Sequence, residues 1–454
     1  MEETVKENKM GVMPVKKLII TMSLPMMMSM LVQALYNIVD SVFVSRINEE
    51  ALTAVTLAFP LQSLIFSVGA GTGVGINALL SKALGEKDHE RANKSANMGI
   101  FLTFVNYVVF MLLGVFAASP FINSQTDNAL IAEYGVTYLR LVCVLGVGGM
   151  FQMTFERLLQ STGKTFYSMI SQMTGAIINM IFDPILIFGY FGFPALGVAG
   201  AAYATVFGQV TAALLGLFMN KKFNTDIQLS FKSILKPDLS IIKRIYQVGI
   251  PSVLMMSIGS IMTYSMNRIL IGFSTTATAV FGVYFKLQSF FFMPIFGLNN
   301  GLVPVLAYNY GAKRRKRIDE ALRTAAAASF SIMTIGMIIF LLFPRQLLEL
   351  FNASDRMIAL GTPALRTICL SFPVAGIAII MSSVFQAFSE SIYSLLISLG
   401  RQLVVLIPAA WLLSRLGNVN YVWFAFPIAE AMSFILSVVF FSRVYRRRVV
   451  PLED

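Results

Sequence analysis

Twelve long apolar runs constrain this chain more than any other feature. They begin near Leu18, Ala51, Ser95, Glu133, Thr165, Ala195, Ile245, Thr276, Ala321, Ile358, Ser391 and Tyr421. Each is roughly 20 to 30 residues long, and a helix of about 20 apolar residues crosses the hydrocarbon of a bilayer. Lipid offers no partner to an open backbone, so spanning segments are helices or closed barrels. The ten-residue alternation of a β-barrel is absent. The runs therefore predict an all-α polytopic membrane protein with twelve transmembrane helices. Only 13% of residues are charged, about half the share in globular chains. The longest polar stretch, from about Asn220 to Arg244, reads as a loop and not a separate domain. The first run follows Lys6, Lys9, Lys16 and Lys17. It is too long for a signal-peptide core and has no small-residue cleavage site, so it is expected to be a retained signal anchor.

A net charge of +12 raises the question of nucleic acid, and the loops answer it. Of 35 Lys and Arg, 26 fall in the tails and inner loops when the N-terminus is placed inside. Four fall in outer loops (Arg46, Arg345, Arg356 and Arg415) and five within helices. This asymmetry places both termini in the cytoplasm and explains the charge without a nucleic-acid partner. The run Lys313–Arg317 reads as a topology determinant touching anionic lipid. Cys143 and Cys369 lie inside apolar runs and are expected to be free, buried thiols. The single His89 sits in a charged loop, so no histidine-based metal cluster or triad can form. No phosphate-cradling Walker sequence is present, and ATP is not expected to drive the protein directly.

The chain matches itself at an offset of 226 residues. Leu61, Gln62 and Ser63 fall on Leu287, Gln288 and Ser289; Gly71, Gly75 and Gly85 fall on Gly297, Gly301 and Gly311. Lys87 and Arg91 fall on Lys313 and Arg317, and Pro25 falls on Pro251. The chain is thus two six-helix halves: residues 1–220, a cytoplasmic linker 221–244, and residues 245–454. Six is even, so the lobes run parallel about a pseudo-two-fold axis along the membrane normal, a transporter architecture with the substrate path between them.

Ionisable groups inside lipid cost several kcal/mol and mark function. Asp40 lies about five residues before the outer end of the first run, and Asp183 about seven before the outer end of the fifth, so they share a depth. Tyr36 and Asn179 each precede their Asp by four residues, on the same helix face. Tyr138 and Thr205 fall at similar depth, and Pro184 removes a backbone donor from the carbonyl of Met180. Hard oxygen ligands of this kind suit a proton or a small cation; a purely structural polar cluster is the alternative. The repeat does not copy the pair, because Asp40 corresponds to Met266 and Asp183 to Ala409. Any cation coupling is therefore expected in the N-terminal half. The second half holds Lys286 and Glu430, read as an ion pair locking that half or, alternatively, as substrate contacts. Arg140 and Arg366 are expected to snorkel to the interface. Methionines such as Met26–Met28 and Met255–Met256 could line a chamber that accepts many shapes, or simply fill space.

Together these features resemble the MATE family of multidrug and toxic-compound extruders, in the branch with the DinF-like and MepA-like proteins. The resemblance is carried by Gln33–Asp40, by Gly85-Glu86-Lys87, by Phe182-Asp183-Pro184, by Pro294–Gly301 and by Tyr308–Ala312. It implies two V-shaped lobes, alternating access, and export of cationic amphiphiles against entry of H⁺ or Na⁺, with no other cofactor. It also implies that Asp40, Asp183, Asn179 and Thr205 form the cation-coupling site, with Asp40, Asp183 and Asn179 as the Na⁺ ligands if sodium is the ion. Tyr36, Asn37, Tyr138, Gln152, Lys286 and Glu430 are the candidates for lining the substrate site. Some relatives carry a second cation site on acids of the seventh and tenth helices, where this chain has none. The expectation is a monomeric cation-coupled exporter of small organic cations. A lipid-linked oligosaccharide flippase is the alternative; it would want a basic lining, for which only Arg268, Lys286 and Arg401 are available. An intramembrane enzyme would need a nucleophile or metal constellation that is missing.

Overall fold

A computed structural model describes residues 7–351 and 353–452. Lys6 and the outermost ends of both lobes lie outside the described residues. The spanning helices are α1 (Val15–Ser45), α2 (Glu49–Gly85), α3 (His89–Phe116), α4 (a bent pair with arms Ala129–Val144 and Val147–Ser161), α5 (Thr165–Phe188) and α6 (Val198–Phe223). The second half repeats the plan with α7 (Leu239–Ile271), α8 (Thr275–Gly311), α9 (Arg315–Leu342), α10 (Asp355–Ala387), α11 (Ser391–Ser414) and α12 (Val419–Arg448). Eleven of these are long and apolar enough to cross a membrane alone; α4 reaches that length only when its two arms, bent by 46°, count as one. Among the described residues there is no strand. Helices take both ends of the polar 221–244 stretch, which also holds a one-turn helix, Phe231–Ile234.

Several helices start where a side chain can satisfy their free N–H groups. Asn48, Asp88 and Asp238 accept from the first turns of α2, α3 and α7. Pro25, Pro60, Pro251, Pro294 and Pro304 sit inside long helices, where each removes one backbone donor.

The lobes meet at the end that carries the N-terminus and the basic loops. There the glycines shared by the repeat let backbones touch. Gly71 lies against Val253 and Gly249 of α7, and its counterpart Gly297 lies against Met27 of α1. Gly301 lies against Ser23, whose hydroxyl donates to the carbonyl of Leu298 at 3.4 Å. Gly85 abuts the Tyr308 carbonyl and Gly311 abuts the Lys82 carbonyl. Tyr308 and Lys82 are themselves 226 residues apart, so the contact obeys the two-fold axis. Small residues suit this role because dispersion, and not hydrophobic expulsion, drives helix association in lipid.

A short segment before α1 straps the same end. Asn8 donates to the Thr162 carbonyl (2.9 Å) and to Asp226 (3.1 Å) in the first lobe. In the second lobe, Asn309 and Arg317 donate to the Met10 carbonyl at 3.1 and 3.0 Å. Met10 is fully buried beneath.

Candidate functional site

Two helices fix the first carboxylate neighbourhood by packing closely. Gly175 of α5 and Gly208 of α6 leave no room for a side chain between them. Their contact brings Asn179 within 3.1 Å of Thr205, the amide Nδ2 donating to the hydroxyl. One turn further along α5, Asp183 is fully buried, five residues before the helix ends at Phe188 rather than seven. Across from it on α1, Asp40 lies within hydrogen-bonding reach of Asp183. Tyr36 and Tyr138 complete the ring: Tyr36 is close to Thr205 and to both carboxylates, and Tyr138 accepts from Gln62 Nε2 at 3.4 Å.

The hydrogen bonding of this cluster is incomplete. Both oxygens of Asp183, Oδ1 of Asp40 and Oδ1 of Asn179 are buried with no donor. An unmet buried acceptor costs about 1–3 kcal/mol, and more when charged. Four such oxygens on two adjoining helices form a site that lacks a positive partner. The donor set is all oxygen, which suits a proton or Na⁺ and not a soft transition metal.

Asn37 is exposed, and its backbone carbonyl accepts from Ser41 at 2.9 Å. Gln152 does reach the interior. It lines a cavity of about 130 Å³ with Gln33, Tyr36, Asn179, Thr205 and Gln209. Met30 and Met153 contribute apolar surface beside several side-chain amides. Of the methionines near Pro25, Met26 is fully buried and Met28 exposed, while the Met27 backbone packs on Gly297.

The same cavity holds Glu156 and Arg157, which sequence reasoning missed. Arg157 lies inside the second arm of α4. Glu156 is 7% exposed and accepts from Gln152 at 2.9 Å. Arg157 directs Nη1 to Gln160 (2.9 Å) and, across the lobe boundary, to Asn300 (3.1 Å). An adjacent Glu-Arg pair within the apolar stretch Met150–Leu159 was the available signal. A larger cavity of about 400 Å³ lies away from these carboxylates, between the N-terminal strap and the start of α5. Its acids are already engaged, Asp226 with Lys164 at 3.7 Å and Glu7 with Arg314 at 2.7 Å.

The expected ion pair of the second lobe has a different partner. Glu430, 7% exposed, pairs with Arg401 at 3.2 Å, whereas Lys286 is exposed on α8. Arg401 lies in a π-helical turn, Gly400–Leu406, within α11. That turn inserts a residue and rotates the side chain toward α12. Arg401→Met should lower stability by about 2 kcal/mol, less than the ~3–5 kcal/mol of a fully buried pair because Arg401 is a third exposed. Lys286→Met should change it by less than about 0.5 kcal/mol. A melting curve in detergent distinguishes the two. At the positions equivalent to the carboxylates, Met266 is fully buried in apolar core and Ala409 is half-buried. Arg140 and Arg366 are both exposed, and Cys143 and Cys369 are buried free thiols.

Comparison with known proteins agrees with this architecture. The MatE family model matches residues 25–185 and again 251–412, one match to each half. The chain is 26% identical over 426 residues to the multidrug export protein MepA of Staphylococcus aureus (strain MRSA252), covering 92% of each. It is 27% identical over 428 residues to an FAD transporter of Shewanella oneidensis, again covering 92% of each. A solved structure described as the outward-facing conformation of a multidrug resistance MATE family transporter of the MOP superfamily superposes with a TM-score of 0.91. That structure shares 26% identity, with 99% of each chain covered. With its repeat, its lobes and its buried carboxylates, the chain belongs to the MatE family and is a multi-span membrane transporter, not an enzyme.

Proposed function

We propose that this protein is an inner-membrane antiporter that exports cationic organic compounds in exchange for H⁺ or Na⁺. The observation that carries the reading is the set of unpartnered oxygens on Asp40, Asp183 and Asn179. Two adjoining carboxylates in a dry site need compensating charge, and a proton or Na⁺ supplies it. With the site charged, repulsion between the two carboxylates keeps α1 from settling against α5. Compensation relieves that constraint and lets α1 repack, with Pro25 as the bending point. The drug leaves outward, the lobes reverse, and the ion leaves to the cytoplasm. Exchange follows if ion and drug favour different states of the protein. The MepA relative, named a multidrug exporter, supports the substrate class. Of the basic residues that a flippase would want in its lining, Arg401 is tied to Glu430. The protein acts as a monomer in this scheme.

Reconstituted protein tests it. Efflux of a cationic dye should follow an imposed H⁺ or Na⁺ gradient, and one of the two alone should suffice. Dye movement indifferent to both gradients would remove the exchange reading.

The scheme also fixes orientation. His89, Lys236 and Arg315 should face the cytoplasm, while Asn123 and Ser354, both exposed, should face outside. Single cysteines at 123 and 354 should react with an impermeant maleimide on intact cells. Reaction at 315 but not at 354 would invert the assignment.

A further inference from the structure

We infer that Glu156 is the seat of the substrate's cationic centre, and that the Asp40–Asp183 pair is reserved for the coupling ion. The inference rests on the exchange reading above. A carboxylate offers about four acceptor positions, and Glu156 has one defined donor, the neutral amide of Gln152 at 2.9 Å. Its chain neighbour Arg157 is directed elsewhere, toward Gln160 and Asn300. Gly73 leaves space for that path, because a side chain there would strike the Arg157 stem. Glu156 is therefore a buried acid in a cavity wall, bonded by a neutral donor and able to accept a cation.

Position separates it from the ion pair. Glu156 is five residues from the end of α4 at Ser161, and Asp183 is eighteen from the start of α5 at Thr165. Those helix ends are neighbours in the chain at the basic end, so at 1.5 Å per residue the two acids differ by roughly 20 Å in depth. Over that distance direct Coulomb coupling is below about 1 kcal/mol at an effective dielectric of 20. Competition between drug and ion then runs through the conformation of the lobes and not through a shared carboxylate. The lining refines the substrate class. Gln33, Gln152, Gln172 and Gln209 present amides to the cavity, favouring cations that also carry hydrogen-bonding groups. The cavity, about 130 Å³, admits a charged head, whereas drug-sized pockets take about 300–1,000 Å³. The body of the substrate would extend past Asn300 toward the second lobe.

The test uses purified full-length protein and two probes: ethidium, which bears amino groups, and tetraphenylphosphonium, which bears none. Glu156→Gln should weaken ethidium binding by about tenfold or more, and Glu156→Asp should restore most of it. Wild-type protein should bind ethidium more tightly than tetraphenylphosphonium. The residual binding in Glu156→Gln should keep its dependence on pH or Na⁺. In Asp40→Asn, that dependence should vanish. Ethidium affinity unchanged in Glu156→Gln, or loss of the ion dependence in that variant, would overturn the assignment. If Glu156→Gln does not fold, the wild-type protein decides: ethidium should shield Glu156, but not Asp183, from carbodiimide modification mapped by mass spectrometry, and no shielding would refute it. The exchange reading fails separately, through gradient-independent dye efflux in wild-type protein.

Discussion

Asp40→Asn and Asp183→Asn are each expected to abolish gradient-driven efflux, a loss of well over tenfold, with protein level and folding preserved. Both side chains keep their size in the change but lose the ability to carry a negative charge. Asn at 183 would also place an amide donor beside the unpartnered oxygens, supplying internally part of what the ion would bring. The site would then stop distinguishing loaded from empty, and with no differential binding there is no exchange. Folding should survive, because removing an uncompensated buried charge relieves a desolvation cost. The equivalent positions of the second lobe give the control. Met266→Leu conserves volume in a packed core and should cost less than about 1.5 kcal/mol. Ala409→Ser touches a half-buried position. Both variants should transport at near wild-type rates. Measurement is dye efflux from proteoliposomes under each imposed gradient, normalised to inserted protein. Full efflux in Asp40→Asn would place coupling elsewhere in the molecule.

Much of this arrangement was legible in the chain because it depends on spacing along single helices. The apolar runs have the length of a bilayer, and the 226-residue offset exposed two lobes before any contact was known. Asp40 and Asp183 could be matched in depth by counting residues to the helix ends. What the sequence left open depends on rotation and pairing between helices. Tyr36 and Asn37 precede Asp40 by four and three residues, and both spacings put a side chain near the same face; only packing shows that Tyr36 faces in and Asn37 out. Lys286 and Glu430 share a depth, yet the π turn in α11 swings Arg401 to Glu430 instead. A one-residue insertion in helical hydrogen bonding leaves no compositional trace. Glu156 and Arg157 were hidden because both lie within two turns of the inner end of α4, where charged residues ordinarily belong to the basic loop. The repeated glycines were visible as matches, but the carbonyls they abut belong to the other lobe.

Those glycines lead to a second large effect, opposite in symmetry to the first. Gly85→Val and Gly311→Val should each reduce efflux by more than tenfold, and to the same extent. A side chain at Gly85 would overlap the Tyr308 carbonyl, and one at Gly311 the Lys82 carbonyl, both rigid backbone that cannot move aside. Relief requires the lobes to separate at the basic end, which is the closure that the proposed exchange would have to make and break. A lobe contact held by dispersion is lost steeply with separation, since a gap of 0.5–1 Å forfeits a quarter to a half of each contact. The two variants should also open the same seam: a cysteine at Ser23, now buried between α1 and α8, should become reactive to an impermeant maleimide in inside-out vesicles. Gly282→Ala is the control, since nothing lies within 4 Å of a side chain there, and it should transport normally. Equal damage at Gly85 and Gly311 beside unequal damage at Asp40 and Met266 would mean that the duplicated fold kept its gate in both halves and its ion site in one. Normal efflux in Gly85→Val alone would break that symmetry and leave closure to the Asn309–Met10 and Arg317–Met10 strap.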